Sequence, residues 1–408
     1  MNQLPFMFAT GIENSYPTIV LPNGTTKRVD EMEKAGHYQR WREDFRLVRE
    51  SGMQFLRYGP PYYATHLAPG QYDWHFTDET FAAMKAMGIT PIVDLCHFGV
   101  PDWLGNFQNP DFPAHFAEYA LAFAKRFPDL RLYTPVNEIN ICAIFSAQFG
   151  WWNERLADEH GFVTALKHMC KANLLAMDAI LSIQPEAVFI QSEGWEYFHT
   201  ETDACHEKAD FLNQKRFLPY DLTCGYPSSQ LMQDYLLHHG MTKDEYAWFR
   251  NHPCRGKWVI GADYYAHNEH MVHPDGRTSD FFNGLGFYQV ARQYYDRYRV
   301  PVMYTETNIG AEKAVAWLHQ QWNELLRLKQ EGIPVVGFTW YSLIDQIDWD
   351  TALREDNGNV NAFGLYDIDR KIRPVGEAYH NIIAQYTAEM KEAGHVFSIN
   401  HLPKPTFV

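Results

Sequence analysis

Two glutamates in this 408-residue chain stand where a carboxyl group can act on a substrate. Glu138 lies in TPVNEIN, after Asn137 and the apolar run 132–136. Glu306 lies in YTETNIG, after the apolar run 301–305. Two carboxyl groups facing a common centre are what glycoside hydrolysis needs. One protonates the leaving oxygen, and the other attacks the anomeric carbon or activates water. A lone glutamate in either place is ordinarily the partner of a Lys or Arg. The pair, with one member preceded by Asn, is what points to chemistry.

The elements that must position this pair follow from the spacing of apolar runs. Eight occur, at 6–10, 53–57, 90–95, 132–136, 187–191, 258–265, 301–305 and 334–340. A longer amphipathic segment follows each one, such as HFAEYALAFAKRF or EKAVAWLHQQWNELLRLKQEG. Gly closes several of these segments just before the next run, a helix stop followed by a strand. The pattern is α/β and predicts a single (β/α)8 TIM barrel with extended βα loops. A doubly wound sheet usually shows a GxGxxG turn after its first strand, and none is seen. The interval from Gly194 to Lys257 reads as an elaborated loop plus one helix. No Ser/Gly-rich linker divides the chain, so one domain over residues 1–408 is expected.

Barrel enzymes carry their chemistry at the C-terminal ends of strands. Here those ends hold Glu13 and Asn14, Arg57, Asp94 and His97, Asn137 and Glu138, and Glu193. Further on come Asp263-Tyr264-Tyr265, Glu306 with Asn308, and Trp340-Tyr341 followed by Asp345, Asp348 and Trp349. Strands four and seven lie across the mouth from each other, which brings Glu138 and Glu306 toward a common centre.

Lys plus Arg is 35 against 50 for Asp plus Glu, a net charge of −15. A surface this acidic repels phosphate backbones and anionic lipid, so neither nucleic acid nor a membrane is an expected partner. Aromatic residues are 15% of the chain, enough to fill a core and still line a site for the flat face of a sugar. The six cysteines form no CxxC pair, the N-terminus fits no signal peptide, and no run of about 18 apolar residues exists. A cytoplasmic location is expected. The 19 His show no HExxH pattern, so no metal and no other cofactor is expected. The partner is a small carbohydrate; self-association into a homo-oligomer stays open.

The motifs resemble glycoside hydrolase family 1, the β-glucosidase and β-galactosidase type. Residues 134–140, TPVNEIN, resemble its TFNEP, and YTETNIG resembles ITENG. CHFGVPDWL resembles HWDLP, Asp263-Tyr264-Tyr265 resembles NYY, SLIDQIDW resembles SLLDNFEW, and AFGL resembles RFGL. The matches run in order along nearly the whole chain. The resemblance implies Glu138 as acid/base, Glu306 as nucleophile and Asn137 as the contact to the sugar 2-hydroxyl. It implies Arg57 and Tyr265 beside Glu306, keeping it ionised and aimed, and His97 on glycone hydroxyls. Trp349 is a candidate platform for the sugar ring, and Trp151-Trp152 for the leaving group.

Departures from the family pattern fall on the far side of the sugar. A family Gln at the end of strand one is replaced by Glu13 or Asn14. The eighth-strand Glu is Asp348, and the preceding Trp becomes Tyr341, with Trp340 adjacent. Retained chemistry with an altered glycone pocket is expected: a retaining exo-acting β-glycosidase. The alternatives are a 6-phospho-β-glycosidase and a non-catalytic sugar-binding barrel. The Asp cluster after strand eight, Asp345, Asp348 and Asp350, disfavours a phosphosugar.

Overall fold

Short runs that are apolar on both faces suit parallel strands packed between helices and a barrel interior. The computed structural model describes residues 6–392, and in it each run forms a strand. These are β1 Met7–Gly11, β2 Phe55–Tyr58, β3 Thr90–Asp94, β4 Leu132–Thr134, β5 Val188–Gly194, β6 Lys257–Asp263, β7 Val302–Glu306 and β8 Val335–Trp340. Successive strands pair in parallel, and β1 pairs with both β2 and β8, closing the barrel. The expected (β/α)8 architecture is therefore present. Residues 1–5 and 393–408, part of the expected single domain, lie outside the described residues.

Inside the barrel, Met7, Phe55, Ile92, Leu132, Ile190, Val259, Met303 and Val336 belong to one apolar layer. Side chains alternate along a strand. Two residues beyond that layer, the same faces carry Arg57 after Phe55, Asp94 after Ile92 and Ser192 after Ile190, all buried. The apolar plug ends where a polar floor begins, at the C-terminal ends of the strands.

The amphipathic segments form the outer ring. Glu159–Ile183 starts where the Asp158 side chain accepts from the Gly161 N–H at 2.7 Å. Ala311–Gln330 stops at Gly332, whose φ of 84° suits a residue without Cβ. The interval between β5 and β6 holds more than one helix. It contains the strand Tyr197–Thr200 and the helices His206–Lys215, Leu218–Cys224, Gln230–His238 and Lys243–Asn251. Tyr197–Thr200 joins Glu269–Val272 and Thr278–Asp280 in a three-stranded sheet. All six cysteines are free and buried. Among the described residues, no helix is long and apolar enough to cross a membrane.

Candidate active site

Glu138 is delivered by a bend in the backbone. Its φ is 41°, a left-handed conformation that costs a residue with a Cβ roughly 1–2 kcal/mol. Tertiary hydrogen bonds hold the bend: Asn137 N–H donates to Cys96 O at 3.0 Å, and Glu138 N–H to Ser192 O at 2.9 Å. The helix Ile139–Ala143 begins immediately after. Glu306 needs no such device, because it is the last residue of β7. Arg57 Nη1 donates to one of its oxygens, and the Tyr265 hydroxyl donates to the other at 2.7 Å. Carboxylate oxygens of Glu138 and Glu306 lie within 4.8 Å of each other, and an oxygen of Asp263 lies within the same distance of both.

Arg57 organises the floor. It is 1% exposed. Nη2 donates to Asn137 Oδ1 at 2.6 Å, Nη1 also reaches Thr305 O at 3.2 Å, and Asp94 lies 3.6 Å away. Asp94 in turn accepts from His97 Nδ1 at 2.7 Å, and His97 Nε2 lies 3.2 Å from Asn137 Nδ2. Asn137 is thus fully buried, with both ends of its amide engaged. Burial alone would push His97 down, but Asp94, Glu13 and Glu306 carry it above its ordinary value. Burial, then the charges of Asp263, Glu306 and Glu193, push the Glu138 carboxyl well above the usual carboxylate range, against the pull of Arg57.

A cavity of about 790 Å³ opens over this floor. Glu13, His97, Gln346, Trp349 and Phe363 line one part of it. Of the two candidates at the end of strand one, Glu13 reaches the cavity, while Asn14 packs beside Gly59. Glu13 accepts from the Ser15 N–H at 3.1 Å and from the Ser15 hydroxyl and the Gln346 amide. Burial raises its carboxyl above the usual range, against the opposing charge of His97.

Three other expected sugar contacts stand elsewhere. Asp348 is 0% exposed, and its carboxylate accepts from Lys34 Nζ at 2.8 Å, Gly358 N–H at 3.0 Å and Asn359 N–H at 2.8 Å. It closes the loop after β8. Trp340 is a core residue whose indole N–H donates to Phe363 O at 2.9 Å. Tyr341 is buried behind His97, with its ring against Gly11 and under the Arg57 guanidinium. Gln346 is the cavity residue of this stretch that the motif comparison passes over, although the aligned Asn of SLLDN marks its place.

The other part of the cavity is lined by Ile141, Ile144, Phe145, Phe149, Phe198 and Leu212. Trp152 is fully buried, with its N–H on Ala352 O at 2.9 Å. Trp151 backs Phe145 and Phe149 at ring distances of 4.7 and 4.9 Å, so those phenyl rings, not the tryptophans, form the aromatic wall.

A closed barrel with facing carboxyls at the ends of β4 and β7 defines a barrel glycoside hydrolase. Residues 21–233 match the model of glycosyl hydrolase family 1, and the chain belongs to that family. It is 20% identical to β-glucosidase A of Thermotoga maritima, over 85% of this chain and 86% of that one. It is 22% identical to the 6-phospho-β-glucosidase AscB of Escherichia coli, over 78% of this chain and 77% of that one. Among solved structures, a T. maritima β-glucosidase in complex with deoxynojirimycin superposes with a TM-score of 0.78 at 18% identity. That match covers 94% of this chain and 99% of the other.

Proposed function

We propose that this glycoside hydrolase is a retaining, exo-acting β-glycosidase with an altered glycone pocket. Glu306 attacks the anomeric carbon while Glu138 protonates the departing oxygen. Glu138 then takes a proton from water, which releases the sugar from Glu306. One observation carries the reading: the approach of the two carboxylates to within 4.8 Å. Retaining enzymes hold their carboxyls ~5–5.5 Å apart, whereas inverting enzymes leave ~6.5–9.5 Å for a water. Arg57 and Tyr265 aim the nucleophile, and the environment of Glu138 favours its acid form. Glu13, His97 and Gln346 wall the glycone part, which suits the end of a sugar chain.

A 6-phosphoglycoside needs free cationic donors at the far end of the sugar. Lys34 is occupied there by Asp348 at 2.8 Å, Asp356 at 3.2 Å and Glu31 at 3.8 Å. Arg373 is tied to Asp345. The plain sugar is therefore the preferred substrate. 4-Nitrophenyl β-glycosides, each tested beside its 6-phosphate, check this. Turnover of a plain glycoside, with the β-anomer appearing first by proton NMR and activity lost in Glu306→Gln, is the expected result. An α-anomer first, or full activity in Glu306→Gln, overturns the mechanism.

A further inference from the structure

Asp263 is a third buried carboxyl at the centre of this site, and the two-carboxylate chemistry has no use for it. The register of the barrel puts it there. Along β6 and β7, Ala262 pairs with Tyr304, but the next residue, Asp263, pairs with Glu306, so Thr305 is skipped. That irregularity sets Asp263 beside the nucleophile. On its other side, Ser192 Oγ lies 2.7 and 2.6 Å from the two Asp263 oxygens, and Ser192 O also receives the Glu138 N–H. One hydroxyl proton serves only one acceptor at a time. Asp263 is 0% exposed, and oxygens of Glu138, Asp263 and Glu306 all lie within 4.8 Å of one another. The motif that this stretch resembles, NYY, has a neutral amide in place of Asp263.

The ionisable groups around Asp263 come from every side. They are Arg57 from β2, Glu138 after β4, Tyr220 from the helix Leu218–Cys224, Tyr265 after β6, and Tyr304 and Glu306 from β7, with Glu193 from β5 acting on Glu138. The cation among them, Arg57, is already committed to Glu306 and Asn137. Like charges this close in a buried site do not all ionise independently.

We propose that Asp263 is a positioning residue for the catalytic proton: its charge, set within 4.8 Å of Glu138, keeps the acid proton on Glu138 to higher pH than a neutral neighbour would. The inference rests on Glu138 being the acid/base. The charges balance through both steps. In the first, the Glu138 proton passes to the glycosidic oxygen as its bond to the anomeric carbon breaks. Glu306 loses its charge by bonding that carbon, so one negative charge moves from Glu306 to Glu138. In the second, water gives its proton to Glu138, its oxygen bonds the anomeric carbon, and Glu306 regains the charge. Asp263 stays fixed beside Glu138 throughout. Its charge keeps the proton on Glu138 before the first step and strengthens Glu138 as a base in the second. Burial and Glu306 push the Asp263 carboxyl up, while Arg57 and Ser192 hold it down.

The test is the pH dependence of kcat/KM on a phenyl β-glycoside, whose poor leaving group needs the acid. Asp263→Asn removes the charge with little change of shape, and Asp263→Ala removes the group. The alkaline limb is expected to move about one unit toward lower pH in both, roughly a tenfold loss on that limb, while the acid limb stays. A limb that stays put in both folded variants, with wild-type turnover intact, overturns this proposal alone. A wild-type chain that cleaves no β-glycoside overturns the reading of Glu138 as well.

Discussion

At the scale of single residues, the site depends on how few donors hold the two carboxyls to which the proposal assigns the chemistry. Glu306 is held by one guanidinium and one phenol, and Arg57 is shared with Asn137, Thr305 O and Asp94. Only a planar fork with several N–H groups spans those partners at once. Tyr265 supplies a single hydrogen bond, to an oxygen of Glu306. A hydrogen bond to a charged group is worth about 1.5–3 kcal/mol. Tyr265→Phe is therefore expected to lower kcat/KM by about 10- to 100-fold. Steady-state kinetics on a 4-nitrophenyl β-glycoside check it. Unchanged kcat/KM removes Tyr265 from the positioning of the nucleophile.

At the scale of elements, the loop after β8 illustrates what a motif hides. SLIDQIDW places Asp348 where its family counterpart grips the sugar, yet the Asp348 carboxylate is consumed by Lys34 and by two backbone N–H groups ten and eleven residues further on. Its function here is to fix the loop that carries Trp349 and Gln346. Asp348→Ala takes a partner from two part-buried N–H groups and from the Lys34 ammonium, which is expected to cost about 1–3 kcal/mol in urea unfolding. A fall in sugar affinity with unchanged stability contradicts this. The strands were legible because buried parallel strands read as unbroken apolar runs; Glu306 is the last residue of β7, while Glu138 follows the end of β4 at Thr134 by a short bend. Glu13 against Asn14 and Trp340 against its neighbours were not legible, since one residue of shift turns a side chain to the other face. Lys34 was out of reach, because its partner Asp348 lies 314 positions away. Asp263 stood in plain view at a strand end, but the bulge that sets it beside Glu306 belongs to the register of β6 and β7.

At the scale of the whole molecule, the barrel is locked by contacts between the two ends of the described chain. The Tyr379 hydroxyl, on the final helix Pro374–Glu392, lies 3.0 Å from Ala9 O and 2.8 Å from Phe338 O, across the seam of β1 and β8. Nearby, Asp44 on the helix His37–Glu50 accepts from Arg370 Nε at 2.9 Å and Nη2 at 3.1 Å, and from His37 Nδ1 at 2.8 Å. Burial alone would push the Asp44 carboxyl up, but His37 and Arg370 hold it below the usual range. A folded-state value below the unfolded one contributes stability that is present above the unfolded value. It is lost as pH falls through the folded value. Asp44→Asn leaves Arg370, which is 7% exposed, buried without its anion, and is expected to cost about 3–5 kcal/mol near neutral pH. The gap between wild type and variant then narrows as pH drops below about 4, where the wild type gives up the same interaction by protonation. Denaturant unfolding of both proteins at neutral and acid pH measures this. A gap that stays constant over that range shows that the lock is packing and not charge.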